Sequence, residues 1–162
     1  MTSEPSAPSE AARDEALHEL WLRRYPLRLG VRASEHYQAV LREFALLAST
    51  QPSGSVPERL LALVDELGRR YANNNAHEVQ RDEALARGEE VLDIVVRVPR
   101  AVRDVSRTLD RMLDETDDFC RDGTLLTLAP ADDVVAFRHW YLGELVAQLD
   151  GAAARPWTGE AR

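Results

Sequence analysis

The chain has 162 residues, of which 44% are hydrophobic and 30% charged, and its formal net charge at pH 7 is −8. This length suits one globular domain, and the composition excludes membrane-like, collagen-like and wholly disordered chains. The negative charge argues against nucleic acid and against an anionic membrane surface as partners. Cys120 is the one cysteine, which excludes an intramolecular disulfide and a zinc site with several thiolate ligands.

Three helices are predicted in the first half of the chain, after a disordered tail at residues 1–9. The first covers residues 10–24, where apolar side chains recur at a spacing of three and four: Ala16, Leu17, Leu20 and Trp21. The second begins at Ser34, a good N-cap residue, and ends before Pro52. The third opens with a capping box, in which Ser55 and Glu58 each satisfy a backbone N–H.

The second half of the chain predicts three more helices, over residues 75–88, 99–121 and 130–150. Gly123 and Gly151 are typical stop residues for the last two. The last helix has a broad apolar face and is therefore predicted to be central, with these residues on that face: Val134, Phe137, Tyr141, Leu142, Leu145 and Leu149.

Three short apolar stretches, at residues 27–31, 91–98 and 124–128, do not follow the helical period. We therefore predict a mostly α, helix-dominated α+β domain over residues 10–150, with about six helices and a small sheet of two or three strands. An all-α bundle is the alternative. Residues 151–162 are predicted to be a C-terminal tail on the surface, with Trp157 as its large apolar anchor.

Acidic residues are concentrated near the end of the fifth predicted helix: Asp110, Asp114, Glu115, Asp117, Asp118 and Asp122. On a helix, Asp110, Asp114 and Asp117 share one face. The cluster is interpreted as a docking patch for a basic partner, or else as a solvated face balanced by Arg103, Arg107, Arg111 and Arg121. A divalent metal site is disfavoured, because the spacing lacks the glycine-bearing loop of an EF-hand.

No catalytic motif emerges, so the chain is predicted to be non-enzymatic and to need no cofactor. It contains no lysine, which excludes a phosphate-loop lysine and a Schiff base. Glu15 and His18 match the Glu-x-x-His pair of carboxylate-bridged metal bundles, yet the second copy that such a site needs is missing. The alternative is a ligand- or metal-binding enzyme whose site assembles from His18, His36 or His139 and distant carboxylates.

Small residues form a stripe on the last predicted helix, at Ala136, Gly143 and Ala147. Glycine inside a helix costs about 1 kcal/mol relative to alanine, so a close approach of another backbone is expected there. That approach is either the closest helix crossing inside the domain or a self-association face, and a homodimer is therefore one of the possible assemblies.

Several segments also carry a resemblance: residues 32–37 (RASEHY) with 41–46 (LREFAL), 118–120 (DFC) with 125–128 (LLTL), and 137–142 (FRHWYL) with 148–151 (QLDG) and 156–157 (PW). These resemble small actinobacterial proteins that accompany anti-sigma kinases of the histidine-kinase-like ATPase fold. The resemblance implies a partner-binding regulator in stress or sigma-factor signalling. The ATPase site itself is not expected, because its Glu-x-x-x-Asn motif fails where Arg70 follows Glu66.

Together these observations predict a cytoplasmic regulatory domain that binds another protein, for example a basic or kinase-like regulator. The expected location follows from the lack of a secretion signal and of any long apolar stretch. Two contact regions are predicted. One is the acidic helix end, with Asp114, Glu115, Asp117, Asp118 and Asp122, and the other is the aromatic pair Trp140 and Tyr141.

Overall fold

A computed structural model describes residues 16–48, 56–71 and 76–159. Its elements, in chain order, are β1 (Leu17–Pro26), α1 (Leu27–Ala48), α2 (Val56–Tyr71), α3 (Ala76–Ala86), β2 (Val91–Pro99), α4 (Val102–Arg121) and α5 (Asp132–Leu149). The predicted fold class is confirmed: within the described ranges, five helices accompany a two-stranded antiparallel sheet. The predicted tail at residues 1–9 and the capping residue Ser55 lie outside the described residues.

The sheet pairs the two strands in antiparallel register, with Leu17 opposite Pro99 and Pro26 opposite Val91. The predicted strand at residues 91–98 is therefore confirmed as β2. A register shift lies between Leu22 and Tyr25, and the strand β1 bulges there. The carbonyl of Arg23, within this bulge, accepts a hydrogen bond from the segment that follows α5.

The helix predicted over residues 10–24 is wrong from Leu17 onward, because the described part of that stretch forms β1. Leu20 and Leu22 alternate with more exposed neighbours and are buried, as the period of a strand requires. The helical spacing of the same apolar residues is also present in the sequence. Pairing with β2 decides between the two, because it satisfies the backbone of β1 and buries these leucines.

The strand predicted at residues 27–31 is also wrong, because this stretch is the first part of α1. Leu27, Gly30 and Ala33 are all buried, and their spacing of three extends the apolar face of the helix toward its start. Ser34 is consequently a residue of the helix interior and not an N-cap. Its hydroxyl oxygen accepts a hydrogen bond from the side chain of Gln38, 3.2 Å away.

Residues 124–128, the third predicted strand, form a loop between α4 and α5. Within it Leu125 is buried, and its N–H donates to the carbonyl of Phe119 at 3.2 Å. This bond ties the loop to the last turn of α4. The side chains of Leu126 and Leu128, on either side of Thr127, are exposed.

The predicted central position of the last helix is confirmed, because α5 packs against α4, α1 and β1. The core includes these fully buried apolar side chains: Leu22, Leu27, Val40, Phe44, Leu60 and Ile94. Gly143 of α5 is not at a close crossing, since a Cβ built on it would meet nothing within 4 Å in the described structure. None of the helices in the described ranges is both long enough and apolar enough to cross a bilayer.

Candidate functional site

Arg138, on α5, draws one face of the acidic helix α4 into an ion-pair cluster. Its side chain is only 4% exposed, and its Nη1 lies 2.6 Å from Oδ2 of Asp117. Nε lies 3.1 Å from Oδ1 of Asp110, and Nη2 contacts Asp114. The spacing of four and three residues on α4 places all three carboxylates on one face, as the sequence predicted.

The helix α1 contributes Tyr37 and His36 to this cluster. The hydroxyl of Tyr37 accepts a hydrogen bond from Nη1 of Arg138 at 2.9 Å and donates to Asp117 at 3.4 Å. Burial raises the pKa of Tyr37 well above its ordinary value, so its phenol stays protonated. Nε2 of His36 lies 3.8 Å from Oδ1 of Asp117, and neither atom has a hydrogen-bond partner among the described residues.

The charges around Arg138 keep its guanidinium protonated. Burial by itself lowers the pKa of Arg138, but the aspartates of α4, Asp117 foremost, outweigh burial and raise it. His139 completes the cluster at its half-exposed edge, with Nδ1 3.0 Å from Asp110 and Nε2 3.3 Å from Asp114. The cluster therefore connects α1, α4 and α5 through charged hydrogen bonds.

The predicted site of dispersed histidines and carboxylates is brought together only in part. His36 and His139 do come together with carboxylates, whereas His18 lies on β1 opposite Val98. Arg138 occupies the middle of the carboxylates, where a metal ion would have to bind. Within the described ranges, no group of three or more histidine, cysteine, aspartate and glutamate side chains is arranged to hold a metal ion.

The predicted contact residues of α4 separate into two groups. Asp117 is 1% exposed and faces the inside of the cluster, whereas Asp114 contacts Arg138 with a side chain that is still 51% exposed. Glu115, Asp118 and Asp122 are exposed. The predicted balance by local arginines holds for Asp118, which lies 2.6 Å from Arg121, but Arg103 and Arg107 contact Asp150 instead.

The loop after α4 presents two leucines to solvent that the sequence did not single out. Leu126 is 92% and Leu128 is 83% exposed. The loop is nonetheless fixed, because the carboxylate of Glu43 on α1 accepts hydrogen bonds from the backbone N–H groups of Leu126 and Thr127 and from the Thr127 hydroxyl. Burial raises the pKa of Glu43, but these hydrogen bonds outweigh burial and lower it.

The other predicted contact region, Trp140 and Tyr141, lies in an aromatic cluster with Tyr25, Phe137 and Trp157. The ring centroids of Trp140 and Trp157 are 5.6 Å apart, and those of Tyr25 and Phe137 are 5.3 Å apart. Burial raises the pKa of Tyr141. The segment that carries Trp157 thus covers the aromatic surface that the sequence offered as a contact region, and the predicted anchoring role of Trp157 fits this position.

Arg138 is the residue of the cluster that sequence reasoning missed, and a signal for it was present. Arg138 follows Val134 by four residues and precedes Leu142 by four, which places it on the apolar face of α5. A charge on a buried face needs a buried partner of opposite sign. Asp117 of α4 is such a partner.

No family model matches the chain, and no curated protein or solved structure matches it.

Proposed function

We propose that this chain is a non-enzymatic regulatory domain that acts by binding another protein through the end of α4 and the loop after it. We call this surface the α4 edge, and it consists of Glu115, Asp118, Asp122, Leu126 and Leu128. The observation that carries the proposal is the exposure of two leucines, at 92% and 83%, on a loop whose backbone is fixed by Glu43. Exposed apolar side chains on a rigid support favour a protein interface.

The chemistry of the α4 edge favours a partner segment that is both basic and apolar. The N–H of Leu125 donates to the carbonyl of Phe119, so the loop is tied to the same end of α4 that carries the exposed Asp118 and Asp122. An amphipathic helix with leucine-sized side chains on one face and arginine or lysine beside them would match both features. Charge complementarity of this kind raises the association rate and suppresses acidic competitors.

Two further observations support a regulatory role. Residues 73–162 contain eleven arginines and eighteen acids, so the negative charge is concentrated in the half of the chain that carries the α4 edge. The resemblance to proteins that accompany anti-sigma kinases suggests a kinase-like regulator of a stress or sigma-factor network as the partner. A cytoplasmic location is part of the proposal, and the buried free thiol of Cys120 fits a reducing compartment.

An enzyme with a site of histidines and carboxylates receives less support. His36 and His139 do lie among carboxylates, but the guanidinium of Arg138 neutralises the groups that a metal ion or a general acid would use. Metal analysis of protein purified without chelator distinguishes the two functions. One bound ion per chain would favour the enzyme.

The test of the proposal compares capture by three tagged chains expressed in the native cells. These are the wild type, the variant Leu126→Ser/Leu128→Ser, and the control Leu17→Ser, which changes a 65% exposed leucine on β1. We expect a stoichiometric partner that the wild type and the control retain and that the α4-edge variant loses by about tenfold or more.

A second variant, Glu115→Arg/Asp118→Arg, tests the charge component in the same assay. We expect it to lower recovery of the same partner and to weaken the salt dependence of the complex. Equal recovery by all chains would show that the α4 edge is not the interface. Recovery of no stoichiometric partner by any of them would contradict the protein-binding function itself.

A further inference from the structure

Residues 152–159, which follow α5, pack back onto the domain through Arg155 and Trp157. The backbone N–H and the side-chain Nε of Arg155 each donate to the carboxylate of Glu144, both at 2.9 Å. The carbonyl of Arg155 accepts a hydrogen bond from the indole of Trp140 at 3.2 Å. The ring of Trp157 lies 5.6 Å from that of Trp140 and 6.0 Å from that of Phe137, measured between centroids.

The carboxylate of Glu144 is the acceptor for both hydrogen bonds that Arg155 donates. Glu144 is completely buried in the middle of α5. A buried carboxylate is costly unless hydrogen bonds and a positive charge compensate it. Among the described residues, α5 supplies one hydrogen bond, from Gln148 at 3.1 Å, and Arg155 supplies two together with its charge. Most of the compensation of Glu144 therefore comes from the docked segment.

The bulge in β1 supplies the second receptor group. The register of the sheet skips Arg23 and Arg24, and Arg24 has a φ of +53°, which is uncommon for a residue other than glycine. Asp93 of β2 holds this turn, because its carboxylate accepts from the N–H of Arg24 at 2.7 Å and from Nη1 of Arg23 at 2.8 Å. The Arg23 carbonyl accepts the backbone N–H of Trp157 at 2.9 Å.

We propose that the Arg23 carbonyl, Phe137, Trp140 and Glu144 form a peptide-binding groove, and that residues 152–159 are its resident occupant. Its external ligand is an extended segment of another protein that carries an arginine two residues before a tryptophan. Three kinds of contact would recognise the ligand. Its arginine pairs with the carboxylate of Glu144, its tryptophan packs against Phe137 and Trp140, and its backbone forms hydrogen bonds with Trp140 and with the Arg23 carbonyl. This inference does not rest on the α4 edge, because it involves none of the same residues.

The covalent connection through Gly151 makes the resident segment a strong competitor. A tethered ligand acts at an effective concentration on the order of millimolar, so an external segment binds well only when the resident one is weakened or when the partner makes additional contacts. Binding of such a partner would release residues 152–159 from the domain. The groove would thus be a second contact site that is closed by the chain's own segment.

The experiment uses the full chain with Arg155→Ala/Trp157→Ala, which weakens both anchors of the resident segment. The probe is a fluorescently labelled, terminally blocked peptide with the sequence of residues 152–159, and binding is followed by fluorescence anisotropy. We expect saturable binding to the variant and binding to the wild type that is about tenfold or more weaker, because the wild-type groove is occupied.

Control peptides with alanine in place of the arginine or of the tryptophan should each lose about tenfold in affinity. Addition of Glu144→Gln to the variant should lower the affinity for the unchanged peptide more than that for the arginine-lacking peptide, which retains only the backbone N–H as a donor to residue 144. Absence of saturable binding by a variant that still unfolds cooperatively would overturn the proposal. A dimer of the wild type in light scattering that an excess of the peptide does not dissociate would also overturn it, because the ligand of the groove would then be a second copy.

A second measurement keeps the proposal testable if the variant does not fold. Residues 152–154 of the wild type are replaced by a protease site, and the chain is cut after it has folded. We expect the cut segment to stay bound at first and to exchange with an excess of the labelled peptide. A cut segment that leaves and is not replaced by the peptide would show that the groove has no affinity of its own.

Discussion

The guanidinium of Arg138 and the carboxylate of Asp117 form an ion pair between α5 and α4 that is almost completely withdrawn from water, with 2.6 Å between Nη1 and Oδ2. A pair of this kind adds less to stability than its Coulomb energy suggests, because both charges lose their hydration. Removal of one partner is a different matter, since it leaves the other charge buried alone.

Arg138→Met is therefore expected to lower the free energy of unfolding by about 3–5 kcal/mol, because Asp117 loses its compensating charge. Arg138→Met/Asp117→Leu should recover much of this loss. Urea unfolding at neutral pH measures both. The control is Arg121→Met, which removes an exposed pair with Asp118 and should change the free energy by no more than about 0.5 kcal/mol. Equal losses for the control and for Arg138→Met would contradict the burial of the cluster.

Glu43→Gln is expected to loosen the loop that carries the α4 edge, because the charged acceptor for two backbone N–H groups becomes neutral. Hydrogen exchange of the amides of Leu126 and Thr127 should accelerate by about tenfold, while core amides of α5 should change much less. A loop that exchanges at the wild-type rate would show that Glu43 does not fix it.

The same substitution predicts a pH dependence of stability. The pKa of Glu43 is lower in the folded chain than in the unfolded chain. Its contribution is complete above the ordinary glutamate pKa and is lost as the pH falls through the folded value. Acidification from neutral pH to about pH 3 should therefore lower the free energy of unfolding more in the wild type than in Glu43→Gln. Parallel urea titrations at both pH values would measure the difference.

Gly30 and Gly143, each inside a helix, should respond to alanine in opposite ways. A Cβ at Gly30 would lie 2.6 Å from the ring of Tyr25, which is itself buried, so Gly30→Ala is expected to cost about 1–3 kcal/mol. A Cβ at Gly143 meets nothing within 4 Å in the described structure, so Gly143→Ala should stabilise by about 0.5–1 kcal/mol. Thermal unfolding followed by circular dichroism compares the two. Stabilisation by both would mean that Tyr25 moves aside at little cost.

Cys120 is expected to be unreactive in the folded chain. Burial, together with the negative charge of Asp117, raises the pKa of its thiol to about 11. At pH 8 its reaction with a thiol reagent should be slower than in the unfolded chain by on the order of a hundredfold, because the thiolate is scarce and covered. Labelling rates with and without denaturant test this. Equal rates in the two conditions would place the thiol at the surface.

The helices α2, α4 and α5 and the strand β2 could be predicted from the sequence, because each has an apolar period with recognisable ends. The helix α3 has few apolar residues, and its prediction depended on its ends at Asn75 and Gly88. The strand β1 could not be predicted. Its alternation is visible only from Leu20 to Leu22, after which the bulge at Arg23 and Arg24 resets the pattern. The competing helical spacing was as good locally, and only the pairing with β2 decides between them.

The acidic cluster, too, could be predicted only where it depends on spacing within one helix. The shared face of Asp110, Asp114 and Asp117 follows from their spacing on one helix. Their common partner, Arg138, lies on another helix, so the sequence left open whether this face is solvated or buried. The loop with Leu126 is fixed by a third element, α1, and no local sequence pattern indicates that its backbone N–H groups donate to Glu43, 83 and 84 residues away.

The two strands of the sheet are neighbours in space but are far apart in the order of synthesis. The strand β1 comes first in the described chain, and three helices separate it from its partner β2. The side chain of Gln148, which accepts from the N–H of Trp21 and donates to its carbonyl, lies 127 residues after Trp21. During translation, β1 is therefore synthesised before the strand that pairs with it, and Leu20 and Leu22 remain exposed to solvent until β2 follows. The core is therefore complete only after residues near both ends of the described chain have been synthesised, and contacts so distant in sequence are expected to slow folding.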